Sequence, residues 1–533
     1  MKHQDGYDGH WLIPEGDREA FIHPALKDWG TVLAENHQLL ESEKLKERRQ
    51  SLRRRVYQEA LSYTREVLGE EEVAQTWADR SVDQSFFLVS GHQPRFYHPG
   101  VWAKNFLLST AVAEAQAIPI NLIVDTDEVG SLGVELPVKR GTWSVEKISL
   151  AETVPGSTFE TVAAPKPRVI RSFSEKLSAL PTAGYRPETV RAKSRFTEAL
   201  ESMLEADVQP PSLAAWLTIL RRRCEGEKAA YLELPVSRLA ELPEFKGFAG
   251  EVITQAAEFT KQYNLTLQRY RKEHGYRYRV NPFPDLFRDE QAGRYELPFW
   301  ISHQGTRVPA YVVVENSGKI RLLAGEAEVK VFNSEVWAED LAEVALRPRG
   351  MTLTLFVRLF CADLFLHGIG GAKYDGATDA FIRDYLGLTP PIYAGATLTL
   401  FPALEVPKVT HQDLVEQEEL IRDVEYNPDR HLKDAGLAKA EITRLRELVS
   451  KKQELIEKIK EPGVDKKTLG LEIKGINKQI GESLSSYRQK LEEKLESDRK
   501  LYQERELVMR RDFPYFLFDA DLVSRLVTGE EAD

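Results

Sequence analysis

Phe86-Phe87-Leu88-Val89-Ser90-Gly91-His92-Gln93-Pro94-Arg95-Phe96-Tyr97-His98-Pro99-Gly100 is the stretch on which the fold turns. Its apolar opening predicts a buried strand over Phe86 to Ser90, and the glycine and prolines that follow predict a loop closing at Pro99-Gly100. From Val101 to Ala117 the chain is rich in Ala and Leu and reads as a helix. Ile118 to Val124 is a second short apolar run, closing at Asp125-Thr126-Asp127-Glu128. Strand, helix and strand make a β-α-β unit. A crossover of this length joins parallel strands of one sheet, so ligand-binding loops are expected at their carboxyl ends, near Gly91 and Asp125.

Around this unit the chain of 533 residues has room for three or four structural units at roughly 150 residues each. Hydrophobic residues at 42% and charged residues at 29% describe an ordinary globular protein and exclude disordered, collagenous and membrane-embedded compositions. A formal charge of -11 opposes loose adsorption to nucleic acid or anionic membrane, so neither is expected as a partner. Cys224 and Cys361 are too few for a disulfide framework or a cysteine-based zinc module, which predicts a cytoplasmic setting and no metal site. Met1 to Gly16 carries Asp5, Asp8 and Glu15 where an export signal would place an apolar run. Met351 to Gly371, the longest apolar stretch, is interrupted by Arg358 and Asp363 and reads as buried helix or strand, not a membrane span.

The organisation read from the sequence is an N-terminal helical region (1–80), the first half of an α/β core (81–128) and a mixed, helical insertion (129–275). A small antiparallel β meander (276–330) follows, then the second half of the core (331–410), a helical hairpin (411–505) and a tail packing on the core (506–533). In the first region Arg53-Arg54-Arg55 reads as a solvated helix face. Gln304-Gly305 and Asn316-Ser317-Gly318 supply the turns of the meander. In the hairpin Ile442, Leu445, Val449, Ile456 and Ile459 keep three-four spacing with Lys452 in one seam slot. Leu469, Ile473, Ile476, Ile480, Tyr487, Leu491 and Leu495 repeat the pattern after Glu461-Pro462-Gly463. Two antiparallel arms on the order of 40 Å long are too thin to bury their own seam, which suggests homodimerisation.

Gly91 to Gly100, with Lys104 one turn into the next helix, gathers imidazoles, an amide and an ammonium around a helix start. Free N–H groups and the helix dipole there favour an anion, and His92 and His98 could donate to charge developing on a phosphoryl group. The same turn also reads as histidines capping local carbonyls. Asp125, Asp127 and Glu128 could bind a substrate amine, a ribose hydroxyl or a hydrated Mg²⁺, against capping or solvation as the plainer reading. Gly368-Ile369-Gly370-Gly371-Ala372-Lys373-Tyr374-Asp375 lets backbone approach a ligand, but it lacks a P-loop ending, and tight helix packing competes. His367 reads as a core or loop histidine. Arg221-Arg222-Arg223 beside Cys224 has no stacking platform or local base, and reads as solvated.

Gly91-His92-Gln93 with Gly100-Val101-Trp102, then Ile120 to Glu128, Arg347-Pro348, Gly370-Gly371 with Tyr374, Pro391, Ala396-Thr397-Leu398 and Tyr502-Gln503-Glu504-Arg505 occur in one order from Gly91 to Arg505. Together they resemble the blocks of the bacillithiol biosynthesis cysteine-adding enzyme family, cysteine ligases. The resemblance implies a Rossmann-like nucleotidyl-transferase core of the HUP type with connective insertions, and a coiled coil that mediates homodimerisation. It also implies the joining of cysteine to an amino-sugar conjugate. Two departures stand out: His92 replaces the family's first glutamine, and Ala372-Lys373-Tyr374 replaces its Pro-Gly-Glu. A reversed charge there alters which substrate group is tolerated.

The function expected is therefore an ATP-dependent amide-forming ligase acting on cysteine or an amino-sugar-like molecule, with ATP or ADP bound and Mg²⁺ as a companion. Catalysis falls to His92, His98 and Lys104. Nucleotide and substrate binding falls to Gly91, Gln93, Asp125, Asp127, Glu128, Gly368, Gly370, Gly371, Lys373, Tyr374 and Asp375. The alternatives are a nucleotidyltransferase that adenylylates a small metabolite, and a non-catalytic dimeric nucleotide-binding scaffold.

Overall fold

Residues 11–41, 43–69, 80–115, 117–205, 210–277 and 283–529 are described by the structure, a computed structural model. Asp5 and Asp8 lie outside them. The chain divides into a larger unit, Met1–Val138, Glu146–Ala403 and Arg511–Asp533, and a smaller one, Lys139–Val145 and Leu404–Arg510.

In chain order the strands are β1 (Glu19–His23), β2 (Phe86–His92), β3 (Ala117–Ile123), β4 (Ser131–Arg140), β5 (Thr142–Glu152), β6 (Leu232–Pro235), β7 (Arg288–Asp289), β8 (Arg294–His303), β9 (Thr306–Val314), β10 (Ile320–Ala324), β11 (Ala327–Phe332), β12 (Leu346–Pro348), β13 (Leu364–Gly368) and β14 (Ala394–Thr399). The larger unit is α/β. Its main sheet runs β1-β14-β13-β2-β3-β6, parallel except for β1, which is antiparallel to β14. Every residue of β3 is buried, as parallel strands covered on both faces require. Numbered by place in the chain, the five parallel strands lie 3-2-1-4-5 across the sheet. The winding therefore reverses between β2 and β13, where Ser90 is in register with Leu366. At such a reversal the loops leaving the two carboxyl ends diverge and open a crevice.

The sheet draws on more of the chain than the sequence reading assigned to it. β1 comes from the region read as helical, and β6 from within the stretch read as an insertion. Both escape notice for the same reason: β1 is a five-residue edge strand opening on Glu19, and β6 is four residues interrupted by Glu233. The meander is also longer than expected, because β11 and β12 extend its antiparallel sheet, β11-β10-β9-β8-β12, to Pro348. β4 and β5 make a separate two-stranded sheet.

Arg358 and Asp363, the charges that interrupt the apolar stretch, are fully buried and paired. Arg358 donates to Asp375 (2.7 Å) and Asp379 (2.6 Å). Asp363 accepts from Arg53 at 2.6 Å and from the Phe87 N–H at 2.7 Å, and also pairs with Arg49 and His37. Arg53 is thus not on a solvated face: it is 5% exposed, while Arg54 and Arg55 pair at the surface with Asp83 and Glu244. Among the described residues no helix is long and apolar enough to cross a membrane.

The smaller unit is helical, with helices His411–Tyr426, Lys439–Lys458, Lys466–Ser483 and Ser485–Val508. Leu445, Leu455, Ile476 and Ile480 are buried in its apolar cluster. The second seam run is broken: Leu484, wholly buried, ends one helix and Ser485 begins the next. Helix Ser485–Val508 then packs with His411–Tyr426, and Lys439–Lys458 with Lys466–Ser483. Lys452, 5% exposed in its seam slot, is neutralised by Asp429 at 2.5 Å.

Candidate functional site

Lys104 occupies the point where the sheet's winding reverses. It lies in the helix Pro99–Ala115, is 2% exposed, and donates from Nζ to the Gly91 carbonyl at 2.7 Å. From the other side of the reversal, a Cβ added to Gly368 would lie 4.0 Å from Lys104 Cε. The side chain therefore reaches both the last residues of β2 and the end of β13. Gly91 itself is pressed against β3, where an added Cβ would lie 3.0 Å from Leu122. Among the described residues no carboxylate is ion-paired to Lys104, and burial, with Arg221 nearby, pushes its ammonium down to about 7. A buried cation with one carbonyl partner is short of negative charge.

The first turn of the Pro99 helix is closed to an anion. His98 caps it: its Nδ1 accepts the Gly100 N–H at 3.1 Å, and its carbonyl accepts those of Val101 (3.0 Å) and Trp102 (3.2 Å). Gly100 is packed so tightly that a Cβ would fall 2.5 Å from Thr397 Oγ1. Burial and Arg511 push His98 down to about 4. The exposed helix start at the crevice is instead that of Ile369–Phe381, where Gly370 and Gly371 face solvent. His92 lies at the end of β2 with Nδ1 3.0 Å from Gln93 O. A carbonyl only accepts, so Nδ1 carries the proton and Nε2 keeps its lone pair. Burial and the Lys104 ammonium push this imidazole down to about 3.

The acidic end of β3 is adjacent, and its carboxylates are engaged. Asp125 accepts the Ser237 N–H at 2.9 Å and the Ser237 hydroxyl, and burial beside Glu160 pushes it up to about 7. Asp127 accepts from Gln93 Nε2 at 2.8 Å and from Arg307. Glu128 accepts the Gly156 N–H at 2.8 Å. These bonds tie loops together; Asp125 is buried, while the side chains of Asp127 and Glu128 stay 29% and 40% exposed. In the glycine segment Gly371 lies against His367, whose Nδ1 an added Cβ would approach to 2.8 Å. Lys373 is exposed and Tyr374 sits 6.1 Å from the Tyr276 ring. Asp375 faces inward, bonded to Arg358 and to His367 Nε2 at 2.9 Å, which holds its carboxyl well below the usual range. It is a core charge and not a ligand-facing one.

The sequence reading missed the walls beneath. Arg221 and Arg222, taken as solvated, are 6% and 5% exposed. Arg221 donates to the Tyr231 hydroxyl at 2.8 Å and pairs with Glu233, to which Asn121 also donates at 2.8 Å. Glu225 accepts from Trp102 and Asn105, both at 2.7 Å. The signal available was Glu225 four residues after Arg221 together with Glu233 inside an apolar run. Above this network, between the 92–97 loop, β3 and the helix Leu213–Glu225, lies a narrow cleft whose interior space is about 10 Å³, room for about one water molecule. Its polar lining includes His92, Gln93, Tyr97, Asn121, Thr218 and Arg221. Among the described residues no group of three or more His, Cys, Asp and Glu is placed to hold a metal ion.

Against known proteins, no family model matches the chain and no curated sequence matches it.

Proposed function

We propose that the protein is an ATP-dependent, amide-forming ligase, of the kind implied by its resemblance to the cysteine-adding enzymes of bacillithiol biosynthesis. One observation carries the reading: at the winding reversal of a parallel sheet a buried lysine, with no carboxylate ion-paired to it among the described residues, reaches from Gly91 near the end of β2 to Gly368 at the end of β13. The 3-2-1-4-5 strand order supports a Rossmann-like core of the HUP type. Lys104 and the exposed Gly370-Gly371 turn suit the phosphates of ATP or ADP. Mg²⁺, being a hard cation, would travel on those phosphates and water, because the nearby carboxylates are engaged.

A carboxylate is a poor electrophile, so the acid must first become an acyl phosphate or adenylate. In that step Lys104 stabilises charge on the phosphoryl oxygens, and the closely packed bends fix their position. Cysteine is the acid the resemblance implies. The seam of the helical unit is read as a coiled coil serving homodimerisation, and the free Cys224 and Cys361 accord with a cytoplasmic setting. A non-catalytic scaffold is favoured by one observation, that His98, Asp127 and Glu128 already find partners within the fold.

The test is a melting panel of the wild-type chain and Lys104→Met with ATP and ADP, followed by mass spectrometry of ATP, Mg²⁺, cysteine and amino-sugar mixtures. A nucleotide-induced rise in the wild type alone, with an amide product, is expected. A nucleotide-capped product without an amide supports the adenylylating alternative, a nucleotide-induced rise with no product supports the nucleotide-binding scaffold, and no nucleotide response at all overturns the ligase reading.

A further inference from the structure

The helix Ile369–Phe381 begins at the winding reversal with its first turn uncapped. Gly368, its N-cap residue, has no side chain to offer, and the first N–H groups of a helix find no acceptor in a preceding turn. A Cβ at Gly370 would meet nothing within 4 Å, so open space lies beside these donors. Two buried side chains border the turn. Lys104, 2% exposed, stands by Gly368, and His367, 7% exposed, stands by Gly371, where an added Cβ would come 2.8 Å from Nδ1. In a helix the Cα–Cβ bond tilts toward the N-terminus, so Nδ1 lies beside the first turn. The imidazole is fixed on its other sides. Nε2 is 2.9 Å from Asp375 Oδ2, the Tyr393 ring packs edge-on at 5.3 Å, and the Phe365 ring lies at 4.5 Å. A carboxylate only accepts, so Nε2 carries a proton, and no described hydrogen bond takes up Nδ1. Asp375 is held in turn by Arg358 at 2.7 Å.

We infer that His367 is a binding residue for a phosphoryl group, which sits on the Gly370-Gly371 turn between the first N–H groups of the helix and Nδ1. The inference deepens the nucleotide reading above and rests on it: the group is a phosphate of ATP or ADP. Uncapped donors at a helix start favour an anion, and Lys104 beside them is short of negative charge. Nδ1 adds a partner that can share one proton with a phosphate oxygen, in a bond strengthened by the anion's charge. The buried Asp375 carboxylate behind the ring offsets the positive charge of an imidazolium, and Arg358 keeps that carboxylate from turning away. Glycine at 371 then has a reason beyond packing, because any side chain would stand against Nδ1 and close it off from the turn. His367 holds and orients the group; no covalent step is assigned to it.

Titration calorimetry of the full chain with ADP, inorganic pyrophosphate and adenosine is the test. ADP should bind more tightly than pyrophosphate, which assigns the phosphoryl group to a nucleotide, and about tenfold or more tightly than adenosine. His367→Gln can offer Asp375 an amide N–H in place of Nε2 but has nothing at Nδ1. It should bind ADP and pyrophosphate about tenfold more weakly with little change in melting temperature. His367→Asn, whose amide falls where Nδ1 was, should recover part of that affinity. Gly370→Asp places a carboxylate in the open space, where it takes up the anion's own donors. Because acids favour a helix start, this variant should melt no lower than the wild type while losing about tenfold or more in ADP affinity. Should His367→Gln fold poorly, Gly370→Asp decides alone. ADP affinity equal to wild type in both variants, or adenosine bound as tightly as ADP, overturns the inference; a loss seen only in Lys104→Met then leaves the ligase reading standing. No ADP binding by the wild type overturns both.

Discussion

Arg53 Nη1 donates to Asp363 Oδ2 at 2.6 Å across 310 positions of sequence, and with it the long N-terminal helix is fastened to the base of β2 and β13. Asp363 also serves Arg49, His37 and the Phe87 N–H, so its loss leaves two buried guanidinium groups uncompensated. Asp363→Ala should cost on the order of 3–5 kcal/mol, read as a lowered urea midpoint. Despite its burial, the His37 hydrogen bond and the two arginines bring the carboxyl down to about 2. A depressed carboxyl stabilises fully above the unfolded value near 4 and loses that contribution as pH falls toward 2. The wild type should therefore lose its advantage over Asp363→Asn across that window.

Lys104→Met should separate binding from folding. Because the buried ammonium titrates near 7 and an unfolded lysine near 10.5, its cost to the fold is full below pH 7 and fades as pH rises to 10.5. The variant should equal or exceed the wild type in melting temperature, most clearly at pH 6. ADP affinity should nonetheless fall about tenfold or more by calorimetry. Wild-type ADP binding should itself weaken as pH rises above 7, since the free ammonium is then losing its proton. A pH-independent affinity would remove Lys104 from the phosphate site.

Asp125→Asn tests whether that acid serves a ligand or the fold. Its pKa is raised by burial first and by Glu160 second, to about 7. The native state therefore holds a proton that the unfolded chain has lost, and stability falls as pH climbs from about 4 to 7 and is level beyond. Asparagine removes that cost, so the variant should melt higher than the wild type at pH 8 and close to it at pH 5. A melting temperature at pH 8 well below the wild type would show that the ionised carboxylate is needed.

Neighbouring glycines at the crevice should answer differently to one added methyl. A Cβ at Gly370 meets nothing within 4 Å, and Ala there should gain about 0.5–1 kcal/mol as a better helix former. A Cβ at Gly371 would come 2.8 Å from His367 Nδ1 and push that ring off Asp375. Gly371→Ala should lower the melting temperature by several degrees while Gly370→Ala does not. Equal behaviour would mean the bend is looser than the packing indicates.

What the sequence made legible was the part governed by local pattern. Phe86 to Glu128 announces strand, loop, helix and strand because its apolar runs are continuous and its turn residues are clustered. One misreading is of a charge whose partner lies far along the chain. Arg53 meets Asp363 across 310 positions, and no window around it contains the information that it is buried, whereas Arg221 has Glu225 and Glu233 within twelve residues and could have been read. Nor does the sequence show that Ser237, Arg307 and Arg358 bond to Asp125, Asp127 and Asp375, the acids it places at the site. Lys104 was singled out for its place one turn into a helix, whereas its solitude among cations is a property of the folded chain alone.

β1 lies along β14 over five residues, from Glu19 opposite Thr399 to His23 opposite Gly395. Every residue of β14 is buried, and without this cover its outer ladder of amides and carbonyls would be a bare, sticky margin. A chain clipped after Pro24 would lose this cover, and with it Trp11, which packs against Ile369, Ala372 and Tyr393, and would present a surface ready to recruit another polypeptide. Loss of solubility is the expected outcome, since Glu19–His23 act as a guard rail for the sheet.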